Sequence, residues 1–337
     1  DFLTESGIES SPDSTQRNRI NDALEDLNSE LYGTGGGGGG GGGGVSDGPH
    51  SSAPSDLQSV LSGMDGDGSD GNPYIITNDH ELQAMNAELD AHYKLGQDID
   101  ATKTGQWNSG KGFAPVGDHP QSSGFKGSLD GDGKYIDGLT IARNEERRLG
   151  LFGKAYKPAS IKNLFVKNVN VSGEDRVGGI CGAMWDETSM TKCAVSGTVN
   201  GAENIGGLAG MMRGSVSKSC VSASVEGFKR IGGLVGNLKL SDSGINECYA
   251  TGKVTSTDDF RGIVGGLAGR CYGSISNSYA AGEVIGKNDP PWVGGLAGET
   301  ARRYQTDGNV NDSYFDKDTT GQEGAIGQGE GTDIGVL

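Results

Sequence analysis

The chain has 337 residues, 62 of them glycine, with 33% hydrophobic residues and a formal charge of −17. So little apolar material argues against one large globular core, and so acidic a surface repels phosphate, which argues against nucleic acid as a partner. No run of about 18 apolar residues occurs, so no membrane-spanning helix is expected.

Taken in chain order, residues 1–34 read as a helical stalk. Asp13-Ser14 precede a helical pattern that stops near Tyr32-Gly33, and Ile20, Leu24, Leu27 and Leu31 are spaced four, three and four apart. That spacing is a coiled-coil seam, which makes these four the candidate oligomerisation residues of a homo-oligomer, a trimer being favoured. The plainer reading is a helix packed on its own chain. Residues 35–71 read as a Gly-rich linker. Its run Gly35–Gly44 is a flexible tether by composition, or a packed polyproline-II-like array. Asp65–Gly71 has acidic residues at calcium-loop spacing. Asp70 and Ile76 stand where an EF-hand needs Gly and Glu, so a solvated turn is the better reading.

Residues 72–148 read as an N-terminal cap and the first strands of a solenoid. Tyr74–Ile76 is a strand; Asn78 with Glu81 forms a capping box; Leu82, Met85, Ala87 and Leu89 give a helix face; Tyr93–Leu95 is a second strand. Residues 125–141 read as strand, glycine turn, strand. Such a cap closes an end that would otherwise expose core and strand edges.

Residues 149–320 carry a repeat. Its anchors are Gly150-Leu151, Gly178-Gly179-Ile180, Gly206-Gly207-Leu208, Gly232-Gly233-Leu234, Gly265-Gly266-Leu267 and Gly294-Gly295-Leu296, at intervals of 28, 28, 26, 33 and 29. Three further positions align. Ile161, Met190, Val216, Ile245, Ile275 and Val310 share one. Leu164, Cys193, Ser219, Cys248, Ser278 and Ser313 share the next, and Phe165, Ala194, Cys220, Tyr249, Tyr279 and Tyr314 the third. A period near 28 with about three short β-type segments predicts stacked coils in which equivalent residues form columns. Cys193 and Cys248 then lie two coils apart, about 9–10 Å, too far for a disulfide. Residues 321–337 read as a Gly-rich tail.

The unit VGGLAG…GSISNSYAAGEV closely resembles the GLUG motif, and DIDAT…FAPVG…FKGSLDGDGKYIDGLTI…LGLFG resembles the segment that introduces such repeats. The resemblance covers about residues 72–320. It implies an all-β fold, a right-handed parallel β-helix of about six coils, on secreted or surface proteins that are often adhesins. It implies no catalytic residues.

The residues offer little chemistry of their own. His50, His80, His92 and His119 form no HExxH, and neither a GxSxG elbow nor a P-loop occurs. The five cysteines, at 181, 193, 220, 248 and 271, are odd in number, lack zinc spacing and read as small buried hydrophobes. The pairs Asp130/Asp132, Asp258/Asp259 and Asp316/Asp318 have the makings of glycan chemistry, but each sits in a turn where Asp bonds its own backbone. No cofactor is expected, with calcium at Asp316 and Asp318 the one metal candidate. Loops at Ser256–Arg261 and Lys287–Trp292 interrupt the period, and insertions on one side of a solenoid commonly form its binding face. Trp292, Tyr304 and Trp185 are the candidate ligand-binding residues, able to stack on sugars; covering the core beneath a loop is their plainer role. The expectation is a non-enzymatic extracellular fibre or adhesin that binds a cell-surface glycan or protein receptor. The tail fibre or spike of a tailed virus, beside other structural proteins of the virion, comes first. A microbial cell-surface adhesin or filament subunit comes second, and a polysaccharide-processing β-helix enzyme third.

Overall fold

The fold is built from columns. In the computed structural model, which describes residues 49–118, 124–240, 242–258, 262–286, 292–300, 308–329 and 334–336, the aligned residues pair directly. Ile161 lies beside Met190, then Val216, Ile245, Ile275 and Val310, in one unbroken parallel register. The same column runs back through Leu129 and Tyr93 to Tyr74. The Phe165, Ala194, Cys220, Tyr249, Tyr279, Tyr314 column is equally regular. The stalk residues Ile20, Leu24, Leu27 and Leu31, the glycine run, and Tyr304 lie outside the described residues.

Parallel strands need a long crossover, and a coil of about 28 residues supplies it. Nine short strands, from Tyr74–Ile76 to Asn309–Asn311, make one sheet; seven, from Phe152–Ala155 to Ile326–Gln328, make a second. A third set winds the remaining flank, with Val199 on Val225 and Ile205 on Ile231. The result is a parallel β-solenoid of about six turns. Leu151, Ile180, Leu208, Leu234, Leu267 and Leu296 form a wholly buried inner column.

The glycine pairs answer a packing demand. A Cβ on Gly266 would sit 2.1 Å from the Gly295 carbonyl oxygen and 2.7 Å from Ala280 Cβ. The next coil leaves no room for a side chain there. The corners use other residues. Asn163, Lys192, Lys218, Glu247, Asn277 and Asp312 each hold a left-handed backbone, φ 46 to 53°, just before the Leu/Cys/Ser column. A second corner repeats this at Arg148, Arg176, Asn204 and Arg230, φ 58 to 62°.

Packed structure starts before Asn72. The helix Leu57–Ser62, capped by Asp56, lies in the stretch read as linker and buries Leu61. The helix Asp79–Ala84 is capped by Asn78, whose side chain accepts from Glu81 N at 2.9 Å. The returning leg differs from the expected capping box: Glu81 accepts from Thr77 N, one residue earlier. At the other end the stack continues past 320. Ile326–Gln328 pairs with Ala297–Glu299, and Ile334–Val336 with Ser313–Phe315. Strand pairing uses backbone groups that glycine also carries, so a Gly-rich composition conceals it.

Candidate functional site

The second corner and the sheet beside it enclose a groove of about 410 Å³ along the flank of the solenoid. Three columns line it. The corner gives Arg176, Asn204 and Arg230, one per coil. The neighbouring sheet gives Met211, Asn237 and Arg270 in register. The residues that leave that sheet, Arg213, Lys239 and Tyr272, each follow a strand that pairs with the next. Five basic side chains line the groove against two acidic ones, Asp175 and Glu203; Asp186 and Glu299, paired with Arg213 and Arg270 from outside the lining, reduce the local excess to one positive charge. The whole chain has 28 basic and 45 acidic residues, so the groove reverses the sign of the molecule.

A polar network sets its floor. Asn204 Nδ2 donates to Asp175 at 2.6 Å, and Asn204 Oδ1 accepts from Asn237 Nδ2 at 2.8 Å and from Arg230 Nη1 at 3.3 Å. Arg230 also reaches Glu203 at 3.2 Å, and Arg270 Nε meets Glu299 at 2.6 Å. Burial first, then the neighbouring Arg270, pulls the Arg230 guanidinium below its ordinary value, against Glu203 and Glu299. Two cations share a partly desolvated space.

Three buried polar atoms of the groove lining lack a hydrogen-bond partner, Arg213 Nε, Arg230 Nε and Asn237 Oδ1, as do Trp185 Nε1 under Arg213 and Trp292 Nε1 further along the corner. Such atoms cost about 1–3 kcal/mol each when left unanswered. Aromatic faces adjoin them. Tyr156 stacks on Trp185 at 5.5 Å and 5°, Arg213 lies over the Trp185 ring at 4.6 Å, and Arg270 lies 5.2 Å from the Tyr272 ring.

Of the residues singled out by sequence, Trp185 joins this flank. Trp292 stands in the corner column itself, two coils past Arg230 and about 10 Å from it on the stacking axis. The Arg and Asn residues of the corner were not singled out. Asp316 Oδ1 accepts from the backbone N–H groups of Asp318 and Thr319, at 2.9 and 3.1 Å, and so caps the helix Lys317–Thr320. Asp130 likewise accepts from Asp132 N and from Asn163 Nδ2, each at 2.9 Å. All five cysteines are buried, and none is in a disulfide.

A second cluster tops the cap. Ligand atoms of His50, Asp79 and His80 lie within 4.8 Å of one another. The two imidazoles stack nearly parallel at 3.5 Å and 16°, so their in-plane lone pairs do not converge on one point. Each group also has a structural duty. Asp79, wholly buried, takes His50 Nδ1 and His50 N; His80 Nε2 bonds Ser52 O at 2.7 Å; Trp107 donates to His50 O at 2.7 Å. The cluster fastens residues 50–52 to the cap helix.

No family model matches the chain. It is 40% identical over 153 residues to halomucin of Haloquadratum walsbyi, covering 43% of this chain and 2% of that protein. It is 31% identical over 370 residues to a protein of Evansella cellulosilytica described as a Gly-rich membrane protein, covering 81% and 42%. It is 29% identical over 229 residues to an immunoglobulin A1 protease of Streptococcus sanguinis, covering 64% and 12%. The chain thus spans less than half the length of each of these curated relatives. Among solved structures, one from Bacteroides ovatus, described as an immunoglobulin A1 protease, superposes with a TM-score of 0.62 at 19% identity, covering 80% of this chain and 86% of that one. An IgA1 protease structure follows with a TM-score of 0.59 at 21% identity, covering 76% and 20%. These superpositions show a shared β-helix fold. The expectation of a non-enzymatic chain does not stand, because relatives matching most of the chain are named as proteases. Among the described residues no helix is long and apolar enough to cross a membrane.

Proposed function

We propose that this chain is the β-solenoid of a larger secreted or cell-surface microbial protein related to the immunoglobulin A1 proteases, and that its flank groove grips the macromolecule on which that protein works. The cationic groove on an acidic solenoid carries this reading, since a locally reversed charge with unanswered donors marks a surface built for a partner. The surface location draws support from the Gly-rich membrane protein among the relatives. The relatives reported above come from an archaeon and from bacteria, which favours the cell surface over the virion. The GLUG resemblance fits the same placement.

The test uses immobilised chain and immunoglobulin A1, with fetuin as an unrelated glycoprotein, read by surface plasmon resonance and by gel for cleavage. Binding or cleavage of either protein that falls at least 10-fold in Arg230→Glu/Arg270→Glu supports the proposal. Equal response from the variant, or none from the native chain, overturns it.

A further inference from the structure

The unanswered atoms of the groove differ in kind, and that difference specifies a ligand. Arg213 Nε and Arg230 Nε are donors, whereas Asn237 Oδ1 is an acceptor. A bare carboxylate or phosphate satisfies only the donors. A neutral sugar supplies hydroxyl donors and acceptors but nothing for the guanidinium charge. The acceptor cannot be dismissed as exposed, because Asn237 is only 4% accessible.

We infer that the groove binds an acidic saccharide, a sugar bearing a carboxylate, with the anion held by Arg230 and Arg270 and a hydroxyl donating to Asn237. This rests on the reading of the groove as the binding face. Three observations converge on it. The lining charge is positive where the molecule is negative. The crowding of Arg230 by Arg270 is relieved by an anion placed between them. Asn237 Oδ1, buried and unpartnered, lines the groove with the two guanidiniums and calls for a hydroxyl donor that a bare anion lacks. An acidic peptide would use the charge alone; its backbone N–H groups are spaced along an extended chain, away from its side-chain carboxylates. Reaching the Nε atoms requires the long Arg213 and Arg230 side chains to shift, a small cost for side chains with many rotamers.

Microcalorimetry on the full chain tests this with four probes: trigalacturonate, its methyl ester, sialyllactose, and a triglutamate peptide. Binding of trigalacturonate or sialyllactose at least 10-fold tighter than the ester and the peptide is expected, and which of the two binds identifies the source of the carboxylate. Arg230→Gln should weaken that binding at least 10-fold. Asn237→Leu should weaken the sugar at least 5-fold and leave any weak peptide binding unchanged. Circular dichroism confirms that both variants fold; Arg230→Lys, which keeps the charge but loses the Nε donor, should bind more tightly than Arg230→Gln and more weakly than the native chain. Triglutamate binding as tightly as the sugars overturns the saccharide assignment, as does the absence of binding by every probe. Groove-dependent capture of a glycoprotein alongside silent sugars sinks this inference and spares the proposed function.

Discussion

Ser278 shows how single residues hold the coils together. Its hydroxyl donates to Ser276 O at 2.7 Å and accepts from Cys248 N at 3.1 Å, one coil away. Ser219 does the same for Cys193 N at 3.0 Å, and Ser313 for Ser278 N at 3.2 Å. These hydroxyls pair backbone groups at a corner where the sheet ladder is interrupted, so buried donors are not left empty. The cysteines of this column and of the second sheet are held in the opposite chemical state from a reactive thiolate. Burial pushes the Cys181, Cys193 and Cys271 thiols up to about 12, and raises Cys248 in the same direction. An unfolded thiol ionises near about 8.5. The native chain therefore binds more protons than the unfolded one between those values. The stabilisation is complete below about pH 8.5 and declines as pH rises toward 12, by about 1.4 kcal/mol per pH unit for each such thiol. Labelling with a disulfide reagent at pH 9 should proceed only at the rate of global unfolding. Rapid labelling of the native protein would show that these thiols are not sealed in the core.

At the scale of the strand and the coil, spacing between neighbours decides what is tolerated. Gly266 faces the Gly295 carbonyl across the stack, and a Cβ there would lie 2.1 Å from it. Neither that backbone nor Ala280 Cβ, 2.7 Å away, can retreat without breaking register, so Gly266→Val should cost about 3 kcal/mol and lower the urea midpoint without changing the far-UV spectrum of whatever folds. An unchanged midpoint would mean the coils can slide apart locally. This glycine, and the columns through Ile275 and Tyr279, are legible in the sequence because each residue recurs once per coil and its neighbour in space is its counterpart in the repeat. The groove is less legible. Arg148, Arg176 and Arg230 stand two residues before the first glycine of their units, which is a signal, but Asn204 interrupts it. What faces that corner, Asn237 and Arg270, depends on how the corner folds against the neighbouring sheet, and a repeat period carries no such information. The helix at Leu57–Ser62 escaped for a different reason: with six residues and one fully buried side chain, it has too few turns to show a helical period.

The whole molecule behaves as a stack in which each coil touches mainly its neighbours. Stability then approximates a sum of coil terms and interface terms, and an internal coil is dispensable while an end is not. The register makes this concrete. Val177-Gly178 pairs directly with Ile205-Gly206, so deleting residues 178–205 joins Val177 to Gly206 with every column still in phase. That deletion should give a soluble solenoid with the same strand signal per residue, a melting temperature lower by a few degrees, and weaker ligand binding through the loss of Asn204 from the groove. Removing residues 49–118 should do far more harm. Those residues bury Leu61, Leu82, Met85, Trp107 and Phe113 against the first coil, and without them the strands Ser128–Asp130 and Tyr135–Asp137 become open edges that recruit other chains. Size-exclusion chromatography with thermal melts separates the two cases. A soluble cap deletion alongside an aggregated coil deletion would mean that long-range packing, rather than nearest-neighbour stacking, holds the solenoid together.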